Sequence, residues 1–131
     1  MRLEFIMLGA VIGLALVNIL WAANVRTRQY GVAWNLGARD APMPPPSALV
    51  QRLQRAQANL YETLPLWIGA LLGAAAQGHL GWKTQAGAAL YAGARVVYLP
   101  LYAAGVPVVR TVVWLVSLAG LLLTLWALIA G

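Results

Sequence analysis

The 131-residue chain has no cysteine, so it can build no disulfide framework, no thiolate nucleophile and no cysteine metal site. Any thiol chemistry must arrive on a ligand. A single histidine, His79, likewise excludes a histidine-based metal site within one chain; no metal is expected. Charge is scarce as well: Asp, Glu, Lys and Arg make up 9% of residues, against about 25% in soluble domains. Apolar residues fill the difference at 62%, where soluble domains have roughly 45–50%. A soluble fold of this size could not hide that much apolar surface, because small domains have a high ratio of surface to volume. A bilayer can, since lipid takes the role of a core. The net charge of +6 would suit nucleic acid only on a basic, groove-reading or aromatic face. The positive charges fall between apolar runs instead, which is how membrane topology is written. No nucleic-acid partner is expected.

What is present is a set of four continuous apolar runs, over about 5–25, 60–79, 84–104 and 106–130, each long enough to cross a ~30 Å hydrocarbon layer as a helix. They lack the alternation that barrel strands require. The fold class expected is an all-α membrane protein, one four-transmembrane-helix bundle over residues 1–131, with helices at about 5–25, 48–79, 84–104 and 107–130. The first run reads as a retained helix rather than a cleaved signal, because Glu4 sits in its charged leader, the apolar stretch is too long and no A-x-A site follows. The segment from about residue 29 to 47 holds Gly31, Gly37, Pro42, Pro44, Pro45 and Pro46 and reads as a semi-rigid loop. Ser47 is the expected N-cap of the second helix.

Orientation follows from the basic residues. Arg26, Arg28, Arg39, Arg52, Arg55 and Arg110 cluster at the first and third connections, whereas Arg2 and Lys83 stand on the other side. That bias places the Pro-rich loop in the cytoplasm and both termini outside. Trp82 and Trp126 then belong to the outer interface, Trp21 and Trp114 to the inner one, and Trp67 to the space between helices. His79 is expected at the outer interface, and Asp40 in a local contact with Arg39. Gly9-x-x-x-Gly13 and Gly69-x-x-x-Gly73 offer small-residue faces for close helix approach.

Two polar stripes interrupt the apolar runs. Arg52, Arg55, Asn59 and Glu62 recur at offsets of three, four and three, and Arg95, Tyr98 and Tyr102 at three and four, so each set lines one face of a helix. Ionisable groups inside a membrane cost several kcal/mol unless paired or hydrated. Glu62 and Arg95 are therefore expected to face each other, or to face a ligand between them. A lone buried pair would serve only helix register; this many polar groups favour a ligand. Arg26, Arg55 and Arg110 suit bidentate contacts with carboxylates, and Tyr98 and Tyr102 suit hydrogen bonds.

The string Arg55-Ala56, Asn59, Glu62, Pro65 resembles the R-A-x-x-N-x-x-E-x-x-P signature of the MAPEG superfamily, membrane-associated proteins in eicosanoid and glutathione metabolism. Arg95, Tyr98, Tyr102 and the Arg110-Thr111 pair agree with its second half. The resemblance implies a homotrimeric four-helix bundle with glutathione, the co-substrate, bound between subunits toward the cytoplasm. It implies Arg55, Gln57, Asn59, Glu62, Arg95, Tyr98, Tyr102 and Thr111 as glutathione contacts, with Arg26 reaching the ligand from a neighbouring subunit. Arg110 takes the catalytic role, lowering the thiol pKa from about 8.5 toward neutrality by its charge, aided by the helix N-terminal dipole. A lipophilic electrophile would reach the thiolate from the bilayer, giving transferase or peroxidase chemistry. Thr63 departs from the tyrosine of the leukotriene C synthases, and the loop from Gly37 to Pro46 is similar to a bacterial branch, which implies the bacterial inner membrane. A glutathione-binding member without catalysis shares every one of these features. A small multidrug transporter would need its buried glutamate central in helix one, where this chain has only Glu4 at the end.

Overall fold

The structure is a computed structural model describing residues 2–131. It contains five α-helices: α1 (Leu3–Tyr30), α2 (Val32–Leu36), α3 (Ala48–Ala76), α4 (Trp82–Ala103) and α5 (Val108–Ala130). The four long helices pack as a bundle, and the short α2 lies within the segment expected to be wholly loop. α1 is longer than an apolar span requires: its 28 residues make about 42 Å of helix against a ~30 Å layer, and the surplus includes its basic Arg26–Tyr30 end. α3 is similarly long, 29 residues, because Ser47 caps it early: the Ser47 hydroxyl accepts from the Val50 N–H at 3.3 Å, satisfying one of the first-turn donors.

Side-chain pairings give the relative directions of the helices. Glu4 meets Thr84 at the beginnings of α1 and α4, so these two run parallel. Asn18 of α1 meets Leu53 near the start of α3, and Asn59 of α3 meets Arg95 of α4, so α3 opposes both. Gly73 near the end of α3 approaches Leu128 near the end of α5, which makes those two parallel. One end of the bundle thus carries Glu4, His79, Trp82, Lys83 and Trp126, and the other carries Arg26, Arg52, Arg55 and Arg110. Trp82 and Trp126 pack edge to face at 5.9 Å, as residues of one interface do.

Among the described residues, α1 and α5 are both long and apolar enough to cross a membrane. α3 and α4 have comparable lengths but carry the two polar stripes, which is why they differ from the uniform set of four spans expected. Between the helices the apolar core is divided in two. Val11, Leu60, Leu64, Trp67, Leu71, Ala88, Tyr91, Ala92 and Leu121 form one cluster, and Ala22, Leu53, Ala56, Leu99 and Ala103 form the other. The layer between them is polar and consists of Asn18, Asn59, Arg95 and Tyr98, one helical turn or two from each cluster. Trp67 is fully buried in the first cluster and stacks on Tyr91 with ring centroids 4.6 Å apart, the interhelical position expected for it.

Three expectations need correction. The faces of Gly9, Gly13 and Gly69 are open, since an added Cβ on any of them would meet nothing within 4 Å. Gly73 does lie close to a neighbour, since a Cβ there would stand 2.7 Å from Leu128 Cδ1, but the approach of backbone to backbone is at Gly87 and Gly120, where a Cβ on Gly120 would stand 2.6 Å from both Gly87 O and Tyr91 N. Spacing alone identifies small faces but not which helices become neighbours. Glu4, placed by the sequence in a charged leader at the end of the first helix, is completely buried, with Oε1 accepting from the Thr84 hydroxyl at 2.7 Å. Arg39 turns away from Asp40 and donates to the Asn35 side-chain oxygen at 2.8 Å.

The Pro-rich segment is held by its flanks. Gln29 donates to Pro45 O at 3.0 Å and accepts from the Ser47 N–H at 2.8 Å, and the Tyr30 hydroxyl donates to Pro44 O. Prolines have no N–H to pair, so their carbonyls are natural acceptors for such side chains.

Candidate functional site

The two polar stripes meet because α3 and α4 run antiparallel with those faces toward each other. Arg95, 2% exposed, donates from Nη1 to Asn59 Oδ1 at 2.8 Å, and its guanidinium lies over the Tyr98 ring at 4.3 Å. Its Nε finds no protein partner. Of the two arrangements expected, Glu62 facing Arg95 or both facing a ligand between them, the direct pair is not the one seen: Glu62 is exposed on α3, and Asn59 is the acceptor for Arg95. The physical reason is angular. Asn59 and Glu62, three apart, stand about 60° from each other around α3; with Asn59 turned to Arg95, Glu62 lies at the exposed edge of the same face. A neutral amide then accepts from the buried guanidinium while the carboxylate stays at the edge.

Toward the basic end, the Arg55 Nε donates to the Tyr102 hydroxyl at 3.2 Å. Arg110, in the first turn of α5, places its guanidinium 4.6 Å from the centre of the same ring. Tyr98 and Tyr102 pack against each other at 5.5 Å, so the ring stack joins Arg95, Arg55 and Arg110 into one connected group. Aromatic faces hold the guanidinium groups while leaving their N–H edges available.

Arg110 borders two clefts. One, of about 290 Å³, is lined by Arg52, Arg55, Tyr102, Gly105, Pro107 and Arg110. The other, of about 250 Å³, is lined by Asn59, Tyr98, Arg110, Thr111 and Trp114. Among the described residues, no carboxylate lines either one. Further along the α3–α5 seam is an apolar groove of about 450 Å³ formed by Leu66, Gly69, Leu121, Leu122, Leu125 and their neighbours. The arrangement thus offers a cationic cleft, a mixed polar and aromatic cleft, and an aliphatic groove.

Seven of the residues expected at the site come together here: Arg55, Asn59, Arg95, Tyr98, Tyr102, Arg110 and Thr111. Three do not. Gln57 points along α3 and donates to the Tyr61 hydroxyl at 3.3 Å. Glu62 is exposed beside the clefts. Arg26 is half-buried near α2, 5.8 Å from the Trp34 ring, with its Nε lacking a partner. Two further residues line the clefts: Arg52, which opens the three-four-three stripe but is not among the contacts that the resemblance implies, and Trp114, which carries no distinguishing signal in the sequence because its position relative to Arg110 depends on how α5 is rotated. Asn18 was missed for a similar reason: it is buried and donates to Leu53 O at 3.1 Å, a contact that depends on the α1–α3 pairing.

No curated protein and no solved structure matches the chain. A family model described as the MAPEG family matches residues 7–130, nearly the whole length and both polar stripes. The family is membrane-associated, in keeping with the two helices able to cross a bilayer. A match of that extent settles the family: this chain, with its stripes of arginine and tyrosine set between apolar helices, belongs to MAPEG.

Proposed function

We propose that the protein is an integral membrane glutathione-dependent transferase or peroxidase acting on lipophilic electrophiles. The observation that carries this reading is the convergence of Arg55, Tyr102 and Arg110 on a cleft with no acidic residue in its wall. Unopposed guanidinium groups in a partly desolvated cleft repel one another and call for an anion. A thiol peptide with two carboxylates and an ionisable sulfur supplies anions in the number that the cleft needs. In this reading all four long helices span the bacterial inner membrane, with the basic end cytoplasmic and both termini outside.

The chemistry assigned to the chain is electrostatic. Arg110 stands at the N-terminal end of α5, where its charge and the helix dipole add. Together they hold the glutathione sulfur as a thiolate; lowering a thiol pKa of about 8.5 by one unit raises the thiolate fraction at neutral pH about eightfold. The thiolate donates its electron pair to the electrophilic carbon, a C–S bond forms, and the leaving group departs with the displaced pair. Tyr98 and Asn59, in the cleft on the other side of Arg110, are placed to hydrogen-bond the reacting partners. The aliphatic α3–α5 groove accepts the apolar part of the electrophile from lipid. In the homotrimer, Arg26, which lies outside its own chain's clefts, reaches the glutathione site of a neighbouring copy, and Glu62, exposed on the same stripe as Arg55 and Asn59, contacts glutathione from the edge.

The test is Arg110→Ala in detergent-solubilised protein. The expected result is a loss of thiolate ultraviolet absorbance on adding glutathione and a fall of about 100-fold or more in conjugation of a model aromatic electrophile, the range seen when one charge-stabilising group is removed. Unchanged oligomer size would show that the assembly survives. Glutathione binding with no conjugation in the wild-type protein would instead establish a binding subunit and end the enzymatic reading.

A further inference from the structure

We propose that one internal water molecule bridges Arg95 Nε to Asn18 Oδ1, and that through it α1 positions the guanidinium standing behind the cleft residues Asn59 and Tyr98. The effect on turnover rests on the glutathione-dependent reading above; the water itself does not.

Arg95 lines neither of the two clefts. It stands behind one of them, 2% exposed, with Nη1 donating to Asn59 Oδ1 at 2.8 Å and Cζ 4.3 Å from the centre of the Tyr98 ring. Asn59 and Tyr98 do line that cleft, so Arg95 acts on its contents through them. A guanidinium is planar, and its N–H bonds leave it in fixed in-plane directions. With Nη1 committed to Asn59 and one face committed to Tyr98, the Nε–H cannot turn to a new partner without giving up both contacts. Yet Nε is buried and has no protein acceptor. A charged donor left unpaired in an apolar interior carries the full cost of its desolvation. Lipid around the bundle offers no substitute.

Against Arg95 lies a cavity of about 10 Å³. Leu14, Leu60 and Leu99 form its apolar wall, and Asn18, Arg95 and Tyr98 its polar one. A space of about 10–15 Å³ holds one water and nothing larger, provided that at least two polar groups grip it. Arg95 Nε is the first of these. Asn18, also 2% exposed, supplies the second: its Nδ2 donates to Leu53 O at 3.1 Å, so the nitrogen is spent on α3 and the amide oxygen is left to accept. A water that accepts from Arg95 Nε–H and donates to Asn18 Oδ1 satisfies both residues. Such a mediated bond holds its ends nearly as well as a direct one. The guanidinium is then braced from three helices' side chains, by Asn59 of α3, Tyr98 of α4 and, through the water, Asn18 of α1.

The experiment uses the full-length protein in detergent, made with isotope-labelled arginine, and reads the nuclear Overhauser cross-peak between the Arg95 Nε–H and water. Arg95→Lys identifies the resonance by deleting it. Wild-type protein is expected to show the cross-peak; its absence overturns the proposal, and that arm needs no variant to fold. Two substitutions separate the water from the α1–α3 contact, because both lose the amide bond to Leu53 O. Asn18→Leu fills the cavity with apolar atoms and expels the water. The cross-peak disappears, and kcat/KM for conjugation of glutathione with a model aromatic electrophile falls about tenfold, the effect of losing one hydrogen bond. Asn18→Ser keeps an oxygen and widens the cavity, so the cross-peak persists and kcat/KM stays within about twofold of the wild type. Thiolate absorbance at saturating glutathione, which reports Arg110, is the same in all three proteins. A cross-peak undiminished in Asn18→Leu, or equal losses of activity in the two variants, overturns the bridge. Wild-type protein that neither binds nor turns over glutathione defeats the transferase reading, while the cross-peaks still decide the water.

Discussion

Replacing Gly120 by alanine probes whether the α4–α5 seam sets the position of Arg110. In a helix interior the exchange of glycine for alanine ordinarily stabilises by about 1 kcal/mol. At Gly120 the new methyl group would stand 2.6 Å from Gly87 O, 2.6 Å from Tyr91 N and 3.0 Å from Leu90 Cβ. Two of these atoms are backbone and cannot rotate away. Moving from 2.6 Å to the 3.4 Å of ordinary contact requires the helices to part by about 0.8 Å. Overpacking of this kind costs roughly 1–3 kcal/mol, and rigid backbone opponents place the cost at the upper end. After the propensity gain, a net loss of about 2 kcal/mol is expected. For a chain of this size that corresponds to a thermal midpoint lower by roughly 6–10 °C. Thermal unfolding in detergent measures it, with Gly93→Ala as the control. Gly93 lies on the exposed side of α4, where a Cβ meets nothing within 4 Å, so the control should be neutral or slightly stabilised. The functional consequence is separable. Parting α4 from α5 draws Arg110 off the Tyr102 ring, and a displacement near 1 Å at a reacting group costs about 100-fold in rate. If Gly120→Ala melts with the control and keeps full activity, the seam is softer than its geometry requires and the reasoning fails.

Two more outcomes follow from contacts remote from the clefts. Glu4→Ala removes the only bonded acceptor facing the Thr84 hydroxyl from α1 and is expected to lower stability by about 2 kcal/mol, whereas Glu4→Gln keeps an oxygen at that position and should lose less; equal thermal midpoints for the two variants would contradict a hydrogen-bonding role. Gln29→Ala removes both bonds that pin the Pro-rich segment to α1, so limited proteolysis between residues 31 and 47 should speed up while glutathione affinity of the cleft is unchanged; wild-type cleavage kinetics would show that Tyr30 and Gln51 suffice.

Much of this protein was legible before any coordinates. Composition excluded a soluble fold because apolar surface has to be hidden somewhere, and four long runs leave helices as the economical choice. The three-four-three spacing put Arg55 and Asn59 on one face because the helical repeat is a property of the backbone and not of its surroundings. The same is true of Arg95, Tyr98 and Tyr102, and the family followed from those two stripes. Ser47 as a cap was equally local, since its hydroxyl needs only its own first turn.

Partnership between helices belonged to the tertiary structure alone. Asn59 rather than Glu62 bonds Arg95, Gly87 and Gly120 meet backbone to backbone while Gly73 of the spaced pairs meets a Leu128 side chain, and Glu4 is sealed against Thr84. Each depends on the rotation of one helix against another, to which a periodic pattern is blind: a shift of one residue turns a helix by about 100° and exchanges its neighbours while leaving the spacing untouched. The gathering of Arg52, Arg55 and Arg110 around one tyrosine has the same origin. Residues from three helices share a cleft only because the bundle brings the start of α3, the end of α4 and the start of α5 together at one end, and charge in a sequence carries no record of that meeting.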